Sequence, residues 1–172
     1  MKKYLITANP SYFQLRKHMP DFALYRDKKN ANYTIEAQNF VQMCKPLKEL
    51  KVFLHQDYEL AAKLGAKGVH LTAKQFDDIP KAKKLGLEVI ISTHTHDEVY
   101  IAEAMGADYV TYSPIFATPD KGEPKGIEAL QEIVSMTDIK IFALGGIVSD
   151  EEVKKIEQTD AYGFASIRYF FV

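Results

Sequence analysis

Gly145 and Gly146 follow the apolar run 141–144 directly, and a helix-start pattern begins three residues later at Ser149. Glycine carries no Cβ, so backbone amides there can approach an anion closely. Paired glycines also make plain tight turns, and that reading stands beside the anion-binding one. Other residues suit the same chemistry. Arg26 and Lys28 form a basic pair two residues apart, and the irregular stretch 115–126 (IFATPDKGEPKG) carries Thr118, Asp120, Lys121 and Lys125. Such a stretch can close over an anionic ligand as a flap or simply be a solvated linker. Ser92, Ser166, His55 and His94 complete the candidate set. The segment 92–96 (STHTH) spaces two histidines two apart. A helical metal pair wants three or four, so zinc is not the expectation. Thr95 reads as a helix cap, His96 as a first-turn residue and His70 as a core residue within a strand.

Three passages, 63–71, 83–91 and 103–112, each end a helix on a glycine (Gly65, Gly86, Gly106) and then run into a β-branched or aromatic stretch. Thr72-x-x-Gln75, Thr95-x-x-Glu98 and Ser149-x-x-Glu152 fit the capping box, which satisfies orphan amides of a first helical turn. The beat is therefore strand, short loop, capped helix, glycine stop. Extending it predicts strands at 3–8, 21–26, 51–56, 67–72, 87–93, 108–115, 139–144 and 161–168. The best helix is 33–48, where Tyr33, Ala37, Phe40, Val41, Cys44 and Leu47 form an apolar stripe. The first helix, about 11–18, is poor.

Alternating units imply a parallel sheet with right-handed crossovers, and eight units imply a (β/α)8 TIM barrel. The expectation is a small α/β barrel in one domain over residues 1–172, with the final outer helix missing or reduced to Tyr169–Val172. An open doubly wound sheet is the alternative, weakened because no G-x-G-x-x-G follows the first strand. A barrel without its last helix leaves apolar surface near strands eight and one. Either the last four residues or a second subunit, as in a homodimer, would cover it.

Composition narrows the partners. Lysine and arginine total 22 against 23 acidic residues, a formal charge of −1. That balance gives no electrostatic case for nucleic acid or a membrane surface. The lone cysteine, Cys44, sits on the apolar helix face and reads as an inert packing thiol. The apolar run at the start is too short for a signal core or a membrane helix, so a cytoplasmic location is expected. In a barrel, ligand-binding residues sit at the strand C-termini, with phosphate often held by the loops after strands seven and eight. The residues named above fall at those ends.

The segments LIT (5–7), LYRDK (24–28), LAAKLGAKGVHL (60–71), STH (92–94), GADYVTYSPIFATPDK (106–121) and ALGGI (143–147) together carry a resemblance. From about residue 3 to residue 168 the sequence resembles the thiamine-phosphate synthase and TenI-like family of small barrels. The resemblance implies thiamine biosynthesis: hydroxymethylpyrimidine diphosphate joins a thiazole phosphate, and pyrophosphate leaves a stabilised pyrimidine cation. It also implies magnesium as a cofactor, bound with the diphosphate. By the same resemblance, Arg26 and Lys28 grip the diphosphate, and Ser92 lies beside the pyrimidine. Thr118 and Lys121 contact phosphate groups from the flap. Gly145 and Gly146, with the backbone at Ser166 and Ile167, cradle the thiazole phosphate.

Several positions depart from the family pattern. Leu24 replaces a glutamine and Asp120 a flap threonine. His55 and Gln56 replace an Asn-Asp pair, and Gln75 replaces a second aspartate, so both metal-binding carboxylates are absent at the aligned positions. Asp57 and Asp77 are the neighbours that could substitute. Pro114 stands where TenI-like isomerases place their histidine, leaving His94 or His55 for that task. Three functions follow from the resemblance: a divergent synthase, a non-catalytic thiazole-phosphate binder and a thiazole tautomerase.

Overall fold

The computed structural model describes residues 1–171, and the following statements concern those residues. Eight parallel strands close into a barrel in sequence order: β1 (Lys2–Thr7), β2 (Phe22–Tyr25), β3 (Lys51–His55), β4 (Gly68–Leu71), β5 (Glu88–Thr93), β6 (Tyr109–Tyr112), β7 (Lys140–Leu144) and β8 (Gly163–Ser166). Between them run α1 (Tyr12–His18), α2 (Tyr33–Cys44), α3 (Tyr58–Leu64), α4 (Ile79–Lys84), α5 (His96–Ala104), α6 (Gly126–Met136) and α7 (Asp150–Glu157). β8 is followed by a single 3-10 turn, Arg168–Phe171. The predicted small (β/α)8 barrel with a reduced last helix is the fold found.

Strand alternation sorts the core into two layers. Tyr4, Ile6, Phe22, Leu24, Phe53, Ile90, Tyr109, Phe142 and Ala165 pack together inside the barrel. Leu5, Ala23, Leu54, Val69, Val89, Ile91, Val110 and Ala143 point out, under the helices. Aromatic rings fill the lower interior, with Phe22 packing edge-on against Phe142 at 5.0 Å and Tyr109 at 5.2 Å. Gly163 makes room for this plug, since a Cβ there would lie 2.8 Å from the Phe142 ring. Lys51 closes the bottom, donating to Glu88 at 2.9 Å and to the Tyr109 hydroxyl at 3.0 Å. The barrel is therefore solid below and can open only at the strand C-termini.

Local signals explain most boundaries. Ser149 and Glu152 form a complete capping box at α7. Thr95 accepts from the Glu98 amide at 3.1 Å and caps α5, while the Glu98 carboxylate reaches back to the His94 amide at 2.7 Å. Other expectations need correction. Thr72 does not cap a helix. Gln75 takes the Thr72 amide at 3.0 Å, but the chain continues as a 3-10 turn, Phe76–Asp78, and α4 begins only at Ile79. The helix expected over 33–48 ends at Cys44, because Pro46 cannot continue the hydrogen-bond ladder. Strand six stops at Tyr112 and strand eight at Ser166, each shorter than expected.

Of the last four residues, Val172 lies outside the described ones. The other three fold back toward the expected gap. Phe170 is fully buried, stacked on Phe164 at 5.9 Å and edge-on to His18 of α1 at 5.4 Å. Burial of a ring of that size stabilises by roughly 1.5–3 kcal/mol. Among the described residues no helix is long and apolar enough to cross a membrane.

Candidate active site

The open end of the barrel holds a cavity of about 830 Å³. Its volume lies in the range that buries small-molecule ligands, roughly 300–1,000 Å³. Of the sequence-selected residues, Arg26, Lys28, His55, Gln56, Ser92, His94, Thr118, Lys121, Gly145, Gly146, Ser166 and Ile167 all line it. Gln75 and Lys125 do not.

The β7–β8 side is built from backbone. Gly145 and Gly146 adopt φ of 104° and 69°, a region that side chains resist. A Cβ on Gly145 would sit 2.7 Å from Pro114 Cα, and one on Gly146 would sit 2.6 Å from the Ala117 carbonyl oxygen. The flap base is tied to this turn, as Ile115 N–H donates to Leu144 O at 2.9 Å and Phe116 N–H to Gly145 O at 3.0 Å. Ser166 Oγ donates to Ile147 O at 2.8 Å and accepts from Tyr169 N–H at 3.2 Å. Its hydroxyl thus clamps the end of β8 to the glycine turn and is not aimed at a ligand. Among the described residues, the Gly145, Gly146, Ile147 and Ile167 amides donate to no protein acceptor. The α7 N-terminus contributes less than the sequence suggests. Glu152 already accepts from the Val148 and Ser149 amides, and Asp150, Glu151 and Glu152 crowd its first turn with negative charge.

The opposite side is built from side chains. Arg26 is half-buried at the end of β2 and Lys28 follows it. Neither they nor Lys121 forms an ion pair among the described residues. The Arg26 charge, then burial, then Lys121, hold the Lys28 ammonium below its ordinary pKa. Mutual repulsion of this kind is relieved when an anion binds between the cations. On the flap, Thr118 donates to Phe116 O at 3.1 Å and accepts Lys121 N–H on its carbonyl at 3.3 Å, which shapes the turn that carries Lys121.

The cavity floor holds a chain that sequence reasoning missed. Tyr4 Oη lies 2.8 Å from His70 Nδ1, and His70 Nε2 lies 3.0 Å from Ser92 Oγ. Burial first, then His55 and Arg26, push His70 down to about 3, so the ring is neutral. Tyr4 is wholly buried, and its O–H has no other acceptor among the described residues. An unmade bond there is costly. The phenol therefore donates to Nδ1, Nε2 carries the ring proton and donates to Ser92 Oγ, and the Ser92 O–H is left to face the cavity. His70 was readable only as a core residue because it lies mid-strand. The available signal was its alternation with Gly68, which puts both on one face of β4, with Thr72 continuing the pattern just past the strand.

His55 is also neutral, pushed down to about 4 by burial and then by Arg26 and Lys28. His94 lies at the rim rather than deep in the site. Its side chain is half exposed, and Nδ1 lies 3.6 Å from Glu98. His96 meets the Tyr112 hydroxyl at 3.2 Å and Glu132 at 3.5 Å, away from the cavity. Pro114 packs against Gly145, so the strand-six position offers no titratable group.

The metal positions fit poorly. Gln75 uses its oxygen on the Thr72 amide and its NH2 on Gln56 O at 3.2 Å and Asp78 at 3.1 Å. Asp57 is committed to capping α3, accepting from Leu60 N–H at 2.9 Å. Asp77 is exposed on the 3-10 turn and does not line the cavity. No group of three or more His, Cys, Asp or Glu side chains able to hold a metal occurs among the described residues.

Known proteins carry the same barrel and related sequences. Thiamine phosphate pyrophosphorylase from Pyrococcus furiosus superposes with a TM-score of 0.84, covering 96% of this chain and 85% of that one at 24% identity, a likeness of fold. Thiamine-phosphate synthase from Syntrophomonas wolfei is 36% identical over 131 residues, 70% of this chain and 61% of that protein. Thiamine-phosphate synthase from Synechocystis sp. is 34% identical over 154 residues, 84% of this chain and 43% of that protein. The chain thus spans about half the length of these two relatives. The thiamine monophosphate synthase profile matches residues 3–170, from the first strand into the turn after the last, and the chain belongs to that family.

Proposed function

We propose that the chain is a thiamine-phosphate synthase that joins hydroxymethylpyrimidine diphosphate to thiazole phosphate. The single observation that carries this reading is that two chemically different sets of anion donors face one cavity. Free amides lie at β7–β8, and unpaired cations lie at the end of β2 and on the flap. Each substrate brings one phosphorylated end, so each end of the cavity orients one substrate.

In this mechanism Arg26, Lys28 and Lys121 hold the diphosphate. Their charge stabilises pyrophosphate as the bond from the pyrimidine methylene carbon to oxygen breaks. The electron pair leaves with pyrophosphate. The thiazole nitrogen, positioned by its phosphate in the Gly145–Gly146 turn and the Ile167 amide, supplies the pair for the new C–N bond. Ser92, held by His70, hydrogen-bonds the pyrimidine beside the reacting carbon. The neutral floor of His55 and His70 adds no positive charge near the developing cation. Magnesium does not fit the residues at the aligned positions, where Gln56 and Gln75 offer no carboxylate. We take residues 1–172 as one domain, the location as cytoplasmic and a homodimer as the assembly to look for.

One observation favours a second reading, a non-catalytic thiazole-phosphate binder: both metal-position carboxylates are replaced, and Gln75 is locked into loop structure. The tautomerase reading is weaker, because Pro114 lacks a proton to transfer and His94 sits at the rim against Glu98. Purified protein given both substrates should release pyrophosphate and form thiamine phosphate in equal amounts. Absence of both products, with thermal stabilisation by thiazole phosphate alone, would assign the binder.

A further inference from the structure

We propose that the β2–β4 end of the cavity takes its diphosphate without a divalent cation, neutralising it with Arg26, Lys28 and Lys121 alone. This rests on the synthase reading of the cavity and specifies the form in which that site takes its substrate.

The acids decide the matter first. Among the described residues lining the cavity, Asp120 on the exposed flap is the one carboxylate. The nearby acids each hold a protein donor, and none of them lines the cavity. Asp27 accepts from Lys29 N–H at 3.2 Å, Asp57 caps α3, and Asp78 holds both Gln75 and Lys81. Magnesium binds through one or two carboxylates together with substrate phosphates, and neutral amide oxygens offer it no charge.

The bridge between the loops is the second observation. Gln75 reaches from the loop after β4 to the Gln56 carbonyl after β3 while also holding its own Thr72 amide. Gln56 sits there at φ 66°, in the left-handed region, with its N–H on His70 O at 2.9 Å. One amide side chain therefore fixes the two loops whose family counterparts carry the metal-binding acids. The third observation is the charge already present. Arg26, Lys28, Lys74, Lys121 and Arg168 all line the cavity, so a free divalent cation would meet like charge. The guanidinium of Arg26 offers paired N–H donors that suit a phosphate oxygen pair, a role a point charge fills less well.

The test uses inorganic pyrophosphate as the probe, titrated calorimetrically into the full chain with EDTA and then with millimolar magnesium. The expected result is binding in EDTA that magnesium does not tighten. Lys28→Ala should weaken it about tenfold in both conditions, the scale of one charge-assisted hydrogen bond. Gln56→Asp should weaken it in EDTA and make it respond to magnesium, since a carboxylate is restored beside the cations. Pyrophosphate binding that requires magnesium would overturn the inference and leave the synthase reading standing. No binding under either condition, with thiazole phosphate still bound, would overturn both the inference and the assignment of this end to a diphosphate.

Discussion

The two ends of the cavity differ in what they are made of. The β7–β8 end presents main-chain amides whose placement is fixed by Gly145 and Gly146 and by the Ser166 clamp. The β2–β4 end and the flap present side chains, and the departures implied by the family resemblance, at positions 24, 55, 56, 75 and 120, fall there. Backbone geometry is set by turns that the fold itself needs, so a change of side chain elsewhere leaves it in place. A site made of side chains can be rewritten one residue at a time without disturbing the barrel. Under the proposed function, one cavity would keep one substrate's cradle intact while altering how it holds the other's.

Breaking the backbone end should have the largest effect. Gly146→Val places a branched side chain at φ 69° against the Ala117 carbonyl and the Phe116 side chain. A non-glycine residue in the left-handed region costs about 1–3 kcal/mol, before any clash. Loss of measurable thiazole-phosphate binding in calorimetry, with a lower urea midpoint, is the expected outcome. Retained affinity would show that the turn does not form the cradle.

Arg26→Ala comes next and should act on one end only. Pyrophosphate binding should weaken by tenfold or more, while thiazole-phosphate affinity stays within about twofold. Equal losses for both ligands would merge the two ends into one.

The floor between them should show itself through pH. His55 and His70 are neutral when folded, with values pushed down to about 4 and about 3, but take up protons near pH 6.5 when unfolded. Below that pH the unfolded chain binds more protons. Stability contributed by neutral histidine is thus present above pH 6.5 and lost as the pH falls toward 4. Unfolding free energies from denaturant melts between pH 5 and 6 should decline less steeply in His70→Gln, by up to about 1.4 kcal/mol per pH unit. An unchanged slope would contradict a neutral His70 in the folded chain.

Ser166→Ala should give the smallest change in ligand affinity. It removes the bonds to Ile147 O and Tyr169 N–H, worth about 1 kcal/mol each. Stability should fall modestly and thiazole-phosphate affinity by a few-fold. An effect on pyrophosphate binding would mean the clamp reaches further than the glycine turn.

Much of this architecture is legible in the sequence because it is written in local chemistry. Gly65 ends α3 in the left-handed conformation, and the Ser149–Glu152 box opens α7 where the pattern placed it. Gly145 and Gly146 stand out for the same reason. The Thr72–Gln75 pattern misleads because Gln75 takes the Thr72 amide within a loop instead of starting a helix. The Tyr4–His70–Ser92 chain could not be read, because it joins three strands and depends on how far each is staggered along the barrel axis. Period-two alternation assigns a face, not a height. Nor could the sequence show that Ser166 spends its hydroxyl on Ile147, which follows from where two loops meet.

The division of the cavity can be tested directly by following amide and side-chain NMR signals of the labelled protein through separate titrations with thiazole phosphate and pyrophosphate. Thiazole phosphate should move the Gly145, Gly146 and Ile167 amides along one binding curve. Pyrophosphate should move the Arg26 side-chain signal and the Lys121 amide while leaving those three in place. If pyrophosphate shifts the glycine amides, or displaces thiazole phosphate from them, the cavity has a single anion site and the two-ended account is wrong.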